Sequence, residues 1–265
     1  MKISNGVKNN KTYLRIALNS AKESGKTFKK YFGNAGKVSM KGGDPRDLVT
    51  KVDKKIEQSI RKSIIKNFPS HRIVGEEFAS HKNTNDLVWY IDPVDGTANF
   101  IHGFAFCCIS IALWDKKGPL VGVIHNPVME HTFWAVRGGG AFFNGKRIRV
   151  SKEDNLSKAY GGYGWGRNIA NASKHFPEIV KDLNKLRTLG TTAMEVALVA
   201  KGVYDFHIQA EVKIWDFAAA ILILKEAGGK ITDWLGKPVT AHTMKLVATN
   251  GKNHKKLIET VNKLA

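Results

Sequence analysis

The chain has 265 residues, of which 42 are Lys or Arg and 23 are Asp or Glu, giving a formal net charge of +19 at pH 7. Hydrophobic residues make up 43% and charged residues 25%, a globular composition that excludes the disordered and fibrous classes. The longest stretch with few charges, 87–114, is broken by acidic residues, Pro and Gly, so no membrane span is expected. No secretory signal is recognisable, and we therefore expect a cytoplasmic protein.

The positive charge is compatible with two kinds of partner. It would attract nucleic acid, and it would equally speed the arrival of a small phosphorylated metabolite. The lysines are scattered along the chain rather than gathered in one arm, which does not favour nucleic acid. The choice between these partners therefore depends on the motifs.

The first half of the chain predicts two helices followed by a sheet. Apolar residues recur at helical spacing over 12–32 and again over 52–68, so two amphipathic helices are expected. The β-rich run LVWYI then stops at DPVDGT, where Asp, Pro and Gly break regular structure. A strand is also expected at RIVG, before this run, and three more follow it at CCISIALW, GPLVGVIHNP and HTFWAV. After them we expect the hairpin FFNGKRIRV, with Asn144-Gly145 in a type I′ turn. The pattern is typical of a meandering, mostly antiparallel sheet.

Beyond Ser151 the elements alternate. We expect a helix over 172–186, a helix at TAMEVALVAKG, a strand at VYDFHI and a helix at WDFAAAILILKEAGG. This alternation predicts a second α/β layer. Since no low-complexity linker separates the halves, we expect an α+β subdomain over 1–150 closely packed against an α/β subdomain over 151–265.

Acidic residues stand at the ends of several predicted elements. Glu76 and Glu77 follow one strand, Asp92 and Asp95 follow another, and Asp216 opens an apolar helix. Hard cations such as Mg²⁺ prefer carboxylate, carbonyl and water oxygens. A tight turn that carries two carboxylates is a candidate for part of such a site.

The turn DPVDGT, which follows the strand LVWYI, offers further polar groups. Pro93 restricts its own φ, which would help Val94 to present its carbonyl oxygen inward. Gly96 allows the backbone to approach an anion closely, and the N–H groups of Gly96 and Thr97 open a short expected helix that could hold a phosphate. The sequence alone leaves simpler interpretations open: DPVDG as a surface turn, Asp216 as a helix cap, and the glutamates as solvated loop acids.

Taken in order, the segments resemble the inositol monophosphatase family of Mg²⁺-dependent phosphomonoesterases, which includes histidinol-phosphate, fructose-bisphosphate and phosphoadenosine-phosphate phosphatases. The resemblance covers nearly the whole chain and rests on DLVTKVDKKIE, FPSHRIVGEE, WYIDPVDGTANFIHG, GVIHNPV, RGGGAFFNGKRIRVS, GTTAMEVALVAKG and WDFAAAILILKEAGG. It implies a layered α-β-α-β-α sandwich, a homodimer, a requirement for two or three Mg²⁺ ions and sensitivity to lithium.

The resemblance also assigns roles to individual residues. It implies the metal ligands Glu76, Asp92, the Val94 carbonyl, Asp95 and Asp216. It implies that Asp47 hydrogen-bonds the Thr97 hydroxyl, and that this pair and Glu76 orient and deprotonate the attacking water. Asp47 has a second interpretation, as a cap for the helix that follows it. The implied substrate-binding residues are Asp95, Gly96, Thr97, Gly190, Thr191, Thr192, Gln209, Glu211 and Asp216.

The substrate is less well defined than the reaction. Gln209 stands where inositol phosphatases commonly carry a Glu that contacts sugar hydroxyls, and Glu211 is nearby. Segments such as DGTANFIHG favour inositol 1-phosphate, whereas GEEF and ITDWLGKP also resemble histidinol-phosphate phosphatases. Inositol 1-phosphate leads, with histidinol phosphate as the alternative. A hypothesis of a different class is a basic RNA- or protein-binding module whose site is vestigial.

Overall fold

The computed structural model describes residues 5–43, 48–80, 86–166, 169–181, 183 and 185–263. Within these ranges the helices are α1 (Asn5–Tyr31), α2 (Lys51–Asn67), α3 (Thr97–His102), α4 (Ile169–Val180), α5 (Thr192–Ala200), α6 (Ile214–Glu226) and α7 (His254–Asn262). The strands are β1 (Val38–Met40), β2 (Leu48–Thr50), β3 (Arg72–Gly75), β4 (Val88–Asp95), β5 (Cys108–Asp115), β6 (Gly118–Asn126), β7 (His131–Val136), β8 (Gly140–Phe143), β9 (Lys146–Ile148), β10 (Tyr160–Gly164), β11 (Lys185–Arg187), β12 (Phe206–Gln209), β13 (Lys230–Asp233) and β14 (Leu246–Thr249).

The first large sheet has seven strands in the order β3-β4-β5-β6-β7-β8-β9. Every neighbouring pair is antiparallel except β3 and β4, which are parallel. Asn144 and Gly145 join β8 to β9 with φ values of 46° and 79°. A type I′ turn requires positive φ at both positions, so the hairpin predicted from this dipeptide is present.

The second large sheet has five strands in the order β11-β10-β12-β14-β13. β10 runs parallel to both β11 and β12, and β14 runs antiparallel to both β12 and β13. The two sheets are joined through a middle layer of helices. α6 packs against β4 to β8 of the first sheet and β13 of the second, and α5 packs against α6 and β12.

The outer layers complete the sandwich. α1 and α2 pack on each other, α1 covers β5 and β6, and α2 contacts β4. On the far side, α7 packs on β14 and α4 packs on α7. The order of layers is therefore α-β-α-β-α, and the predicted layered architecture is confirmed.

The middle layer is close-packed because its helices carry small side chains where they meet the first sheet. Ala218, Ala219 and Ala220 of α6 are at most 1% exposed. A Cβ added at Gly122 of β6 would lie 2.6 Å from the carbonyl oxygen of Ala219. The helix backbone therefore rests almost directly on the strand, and Gly122 has no room for a side chain.

The clearest difference from expectation concerns the helix predicted over 172–186. The helix ends at Val180, and Lys185–Arg187 forms β11 beside Tyr160–Gly162. Its strand conformation comes from pairing with β10, a distant partner that helical periodicity does not report. β10, β13, β14 and α7 were also not predicted. Among the described residues, no helix is apolar over a length that would cross a bilayer.

Candidate active site

A cavity of roughly 420 Å³ opens where β4, α3, α5 and α6 meet. It brings together residues from both halves of the chain that the sequence assigned to metal, phosphate or substrate. Those in its lining are Glu76, Asp92, Val94, Asp95, Gly96, Thr97, Gly190, Thr191, Thr192, Gln209, Glu211 and Asp216. Asp47 lies outside the described residues.

The floor of the cavity is formed by an irregularity at the end of β4. The pairing of β4 with β5 shifts register between Asp92 and Asp95, and Pro93 lies within this bulge. A bulge is one of the few places in a sheet where Pro is tolerated, since its missing N–H leaves no gap in a regular ladder. The carboxylates of Asp92 and Asp95 are both buried, with Asp92 accepting the Val94 N–H at 3.0 Å.

Asp95 connects this bulge to the middle layer. Its Oδ2 accepts hydrogen bonds from the Thr191 hydroxyl and, at 2.8 Å, from the Ala193 N–H at the start of α5. Burial nevertheless raises the pKa of Asp95 to about 7, the hydrogen bonds acting in the opposite direction. The ionised carboxylate is therefore costly in the folded protein unless a cation is near.

Asp92 shows most directly that the acidic groups converge. Its pKa is raised well above the ordinary value, first by burial and then by the negative charges of Glu76, Asp95 and Asp216. These four carboxylates belong to three separate segments of the chain, so only the fold places them within electrostatic reach of one another. The interpretation of DPVDG as a simple solvated turn does not hold, because both of its aspartates are buried.

Glu76 is held by a cation of the chain itself. The Lys41 ammonium lies 2.8 Å from Glu76 Oε1 and 2.5 Å from Glu77 Oε1. Burial works against the charge on Lys41, but the two carboxylates outweigh it and raise its pKa. Glu77 is anchored further by its N–H, which donates to Glu57 Oε2 at 2.7 Å. Glu77 is therefore a structural residue rather than the solvated loop acid considered from the sequence.

Asp216 is the third residue of α6 and accepts the Lys213 N–H at 2.7 Å. It therefore caps the helix, as one interpretation of the sequence held, while also lining the cavity. The two roles are compatible, since a carboxylate has several acceptor positions.

The donor set suits a hard cation, but the carboxylates are turned toward protein donors. Among the described residues, no three His, Cys, Asp or Glu side chains form a ready group that could hold an ion. The reason is visible in the contacts: Glu76 faces Lys41, Asp95 faces Thr191, and Asp216 faces the backbone of α6. These donors are all oxygen atoms, which Mg²⁺ prefers as ligands, and the carboxylates repel one another when no cation lies between them. A cation bound at Glu76 would share this carboxylate with Lys41, whose contact is with Oε1.

Gly96 adopts a conformation that other residues take only at a cost. Its φ is +86°, and a Cβ there would lie 3.3 Å from Cys107 Cβ, the Gly190 carbonyl oxygen and the Phe106 carbonyl oxygen. The position thus requires glycine for two reasons, the backbone angle and the crowding. α3 begins immediately after it, at Thr97.

Asp53 is a site residue that the sequence interpretation missed. The Thr97 hydroxyl lies 3.0 Å from the Val94 carbonyl oxygen and 3.4 Å from Asp53 Oδ1. Asp53 is 1% exposed, and its other oxygen accepts from the N–H and hydroxyl of Thr50 in a capping box. The signal for it was the Thr50-x-x-Asp53 spacing, which predicts a cap at the start of α2. The predicted contact of Thr97 with Asp47 stays a prediction.

Asn99 is a second missed residue, and it positions the cavity wall. Its Nδ2 donates to the Phe106 carbonyl at 2.7 Å and to the Leu189 carbonyl at 2.6 Å. One amide therefore ties α3 to the segment that carries Gly190. No local sequence pattern predicts this contact, because Asn99 and Leu189 are 90 residues apart in the chain.

Gln209 also lines the cavity, and its side-chain amide is already hydrogen-bonded within the protein. Its Oε1 lies 3.0 Å from His207 Nε2, and its Nε2 donates to the Glu211 carbonyl at 3.0 Å. Glu195, which also lines the cavity, is buried with its Oε1 3.7 Å from Nδ1 of the buried His207. Burial raises the pKa of Glu195 to about 8 and lowers that of His207 to about 4. Both are therefore favoured in their neutral forms, and neither was predicted from the sequence.

Comparison with known proteins agrees with this geometry. The model of the inositol monophosphatase family matches residues 9–265. A fructose-1,6-bisphosphatase/inositol-1-monophosphatase of Aquifex aeolicus is 35% identical over 88% of this chain and 89% of its own. Inositol monophosphatase 2 of Solanum lycopersicum is 36% identical over 94% of this chain and 98% of its own. The solved structure of the Thermotoga maritima IMPase superposes with a TM-score of 0.89 at 34% identity, covering 96% and 98% of the two chains.

The layered fold and its acid-lined cavity, together with these matches, define the class of protein as a phosphoric monoester hydrolase. Since the family model and the relatives span nearly the whole chain, the chain belongs to the inositol monophosphatase family.

Proposed function

We propose that the protein hydrolyses a small phosphorylated metabolite in a Mg²⁺-dependent reaction, with inositol 1-phosphate as the leading substrate. The observation that supports metal dependence is the convergence of four carboxylates on a buried cavity, where Asp92 and Asp95 both have raised pKa values. Phosphoryl transfer needs neutralisation of charge and alignment more than covalent chemistry.

Mg²⁺ would be held by Glu76, Asp92, the Val94 carbonyl, Asp95 and Asp216, two or three ions sharing these ligands. When bound, the metal lowers the pKa of a water molecule and stabilises the charge that develops on the leaving oxygen. Lithium is expected to inhibit by competing for one of these positions.

The chain's own residues would prepare the attack. The N–H groups of Gly96 and Thr97 would hold the phosphate, since Gly96 leaves the backbone free of a side chain there. The Thr97 hydroxyl, oriented by the Val94 carbonyl and Asp53, would position the water, and Glu76 would accept its proton. Because of this contact we propose Asp53 for the role that was predicted for Asp47.

The alcohol part of the substrate would meet Thr191, Thr192, Gln209 and Glu211. Because each end of the Gln209 amide already has a protein partner, it retains one N–H and one acceptor position for a hydroxyl. Glu211, on the same wall, would supply the negative group that Gln209 lacks. A hydroxyl-rich substrate fits these groups, whereas histidinol phosphate would rely on Glu211 to pair with its cationic groups.

The test is phosphate release from inositol 1-phosphate, histidinol phosphate, fructose 1,6-bisphosphate and phosphoadenosine phosphate, each with and without Mg²⁺. We expect the highest kcat/KM for inositol 1-phosphate, and no phosphate release from any of these esters without Mg²⁺. Asp216→Asn should lower kcat/KM more than about 100-fold, a loss of roughly 2.7 kcal/mol of transition-state stabilisation. Asp154→Asn, an exposed carboxylate outside the cavity, is the matched control and should change little.

Three results would count against the proposal, in whole or in part. Equal activity of Asp216→Asn and the wild type would show that the acidic cavity is not the active site. A 100-fold preference for another phosphoester would support the phosphatase activity but would show that inositol 1-phosphate is not the preferred substrate. Absence of turnover on every ester, together with a stable fold, would favour the vestigial module.

We also propose that the protein acts in the cytoplasm and that it is a homodimer. The homodimer rests on resemblance to the family rather than on an interface visible in one chain. Light scattering at micromolar concentration should give about twice the 29.4 kDa of the chain. A mass close to 29.4 kDa would contradict the dimer.

A further inference from the structure

The excess positive charge is concentrated on one outer layer of the fold. α1 and α2 contain thirteen of the 42 Lys and Arg residues but only three carboxylates. Two of those carboxylates, Asp53 and Glu57, are buried beneath the layer. Glu23 is therefore the one acid of these helices that faces solvent. The lysines that look scattered in the sequence are gathered by the helical geometry.

On α1 the cations form a narrow stripe. Successive residues of an α-helix are rotated by about 100°, which places the five exposed cations of this stripe within a sector of about 60°. These are Lys11, Arg15, Lys22, Lys26 and Lys29. The opposite face of α1 carries the buried residues Ile16, Ala17, Ala21 and Phe28. At a rise of about 1.5 Å per residue the stripe is about 27 Å long.

α2 repeats the arrangement beside it. Four of the five exposed lysines of α2 also fall within a sector of about 60° and extend over about 22 Å: Lys51, Lys55, Lys62 and Lys66. The helices are antiparallel neighbours, as two contacts show. The Tyr13 and Phe68 rings are 5.1 Å apart at one end, and the Tyr31 ring lies 5.8 Å from the Lys55 ammonium at the other.

Little within the described structure neutralises these cations. Lys26 pairs with Glu23 at 2.8 Å and Lys29 with Glu130 at 3.0 Å, and both pairs are exposed, so they contribute little. The positive charge of these lysines also acts on the neighbouring His125. Its pKa is lowered to about 4, chiefly by burial and then by the charges of Lys22 and Lys29.

The layer is not explained by the substrate cavity. Among the described residues, none from α1 or α2 lines that cavity. A stripe about 27 Å long also exceeds any small phosphorylated metabolite. We propose that the outer face of α1 and α2 binds the phosphate backbone of a nucleic acid, an extended polyanion whose regularly spaced charges the two cationic stripes match.

A nucleic acid is favoured over an anionic membrane by the lack of apolar groups on this face. Among the described side chains of the two helices, Ile65 alone is a large hydrophobic residue that is exposed, at 40%. Membrane-surface helices insert a continuous apolar face, and here that face is buried on the sheet. Binding through phosphates would be independent of sequence and strongly weakened by salt.

The experiment measures fluorescence anisotropy of a labelled 24-nucleotide single-stranded RNA over a series of salt concentrations. Wild-type protein should bind with an affinity that falls steeply as salt rises. The triple variant Lys11→Gln/Arg15→Gln/Lys22→Gln should bind at least about tenfold more weakly, and its slope of log affinity against log salt should be smaller by about 2, since three phosphate contacts are lost.

The matched control removes the same charge from the opposite outer layer. Lys252, Lys256 and Lys263 are exposed residues in or beside α7, and their triple change to Gln should leave RNA affinity within about twofold. Both triple variants should keep wild-type phosphatase activity, because no changed residue lines the cavity. Thus RNA binding and phosphoester hydrolysis can fail independently of each other.

Several outcomes would overturn the proposal. Equal loss of RNA affinity in both triple variants would show that only net charge matters. Undiminished binding by the α1 variant would place the RNA elsewhere. Binding of the wild type to phosphatidylserine vesicles but not to RNA would make the layer a membrane surface. Loss of substrate turnover at low salt, with RNA affinity kept, would mean that the stripe steers the small substrate.

Discussion

Neutralising Asp95 should stabilise the metal-free protein while it abolishes catalysis. Asp95 is buried, and its pKa in the folded state is about 7 compared with an ordinary value of 3.8. Asparagine keeps an oxygen that can accept from Thr191 and Ala193, so the change removes charge with little loss of contact. The folded protein then no longer has to hold a buried negative charge.

The sign and size follow from the difference in pKa. A carboxylate whose pKa is raised by folding contributes stability below its unfolded pKa and loses it as pH rises toward the folded value. A difference of about 3 units corresponds to about 4 kcal/mol, an upper limit because the neighbouring carboxylates titrate together. We therefore expect the free energy of unfolding of Asp95→Asn to be larger than that of the wild type by about 1–3 kcal/mol at pH 8, and by much less at pH 5.

The assay is urea unfolding in EDTA, followed by the fluorescence of the six tryptophans, at pH 5 and pH 8. Asp154→Asn, at an exposed position, serves as the control and should show the pH dependence of the wild type. Addition of Mg²⁺ should then stabilise the wild type more than Asp95→Asn. A stability difference that does not change between pH 5 and pH 8, or an Asp95→Asn variant less stable than the wild type at pH 8, would refute the electrostatic reasoning.

Three further predictions concern the surroundings of the cavity. Gly96→Ala should destabilise the protein by about 2 kcal/mol or more, whereas Gly36→Ala, also at positive φ but with no atom within 4 Å of the added Cβ, should cost only about 1–2 kcal/mol; urea unfolding measures both, and equal losses would dismiss the crowding at Gly96. Burial raises the pKa of the Cys107 thiol to about 12 and that of Cys108 well above its ordinary value, so neither should react with a thiol reagent at pH 8 until urea is added; fast labelling of the native protein would contradict their burial. Glu195→Gln should gain stability relative to the wild type as pH rises from 5 to 9, because the pKa of Glu195 is raised to about 8, and a pH-independent difference in unfolding free energy would count against this.

Much of the fold was accessible from local patterns. The helical spacing of apolar residues predicted α1 and α2 to within a few residues, except that α1 begins seven residues earlier than expected. The dipeptide Asn144-Gly145 predicted its hairpin because only a few residues tolerate positive φ. Patterns failed where a distant partner decides the conformation, as in β11, whose strand exists because β10 lies beside it.

The candidate site divides in the same way. Glu76, Asp92, Asp95 and Asp216 could be selected from the sequence because acids at the ends of elements form a recognisable ordered series. Asp53 could not be selected in this way, because a capping box fully explains its Thr-x-x-Asp pattern and nothing local indicates the contact with Thr97.

The sequence by itself determined the residue types of the site, the helices that carry the cationic stripes and, through ordered motifs, membership of a phosphatase family. The tertiary structure alone decided which of these groups meet. It buried Asp92 among three other carboxylates, joined Asn99 to Leu189, and placed Lys41 on Glu76. The physical reason is that electrostatic energies and hydrogen bonds depend on distance and burial in space, and packing of the layers sets both for residues that are far apart along the chain.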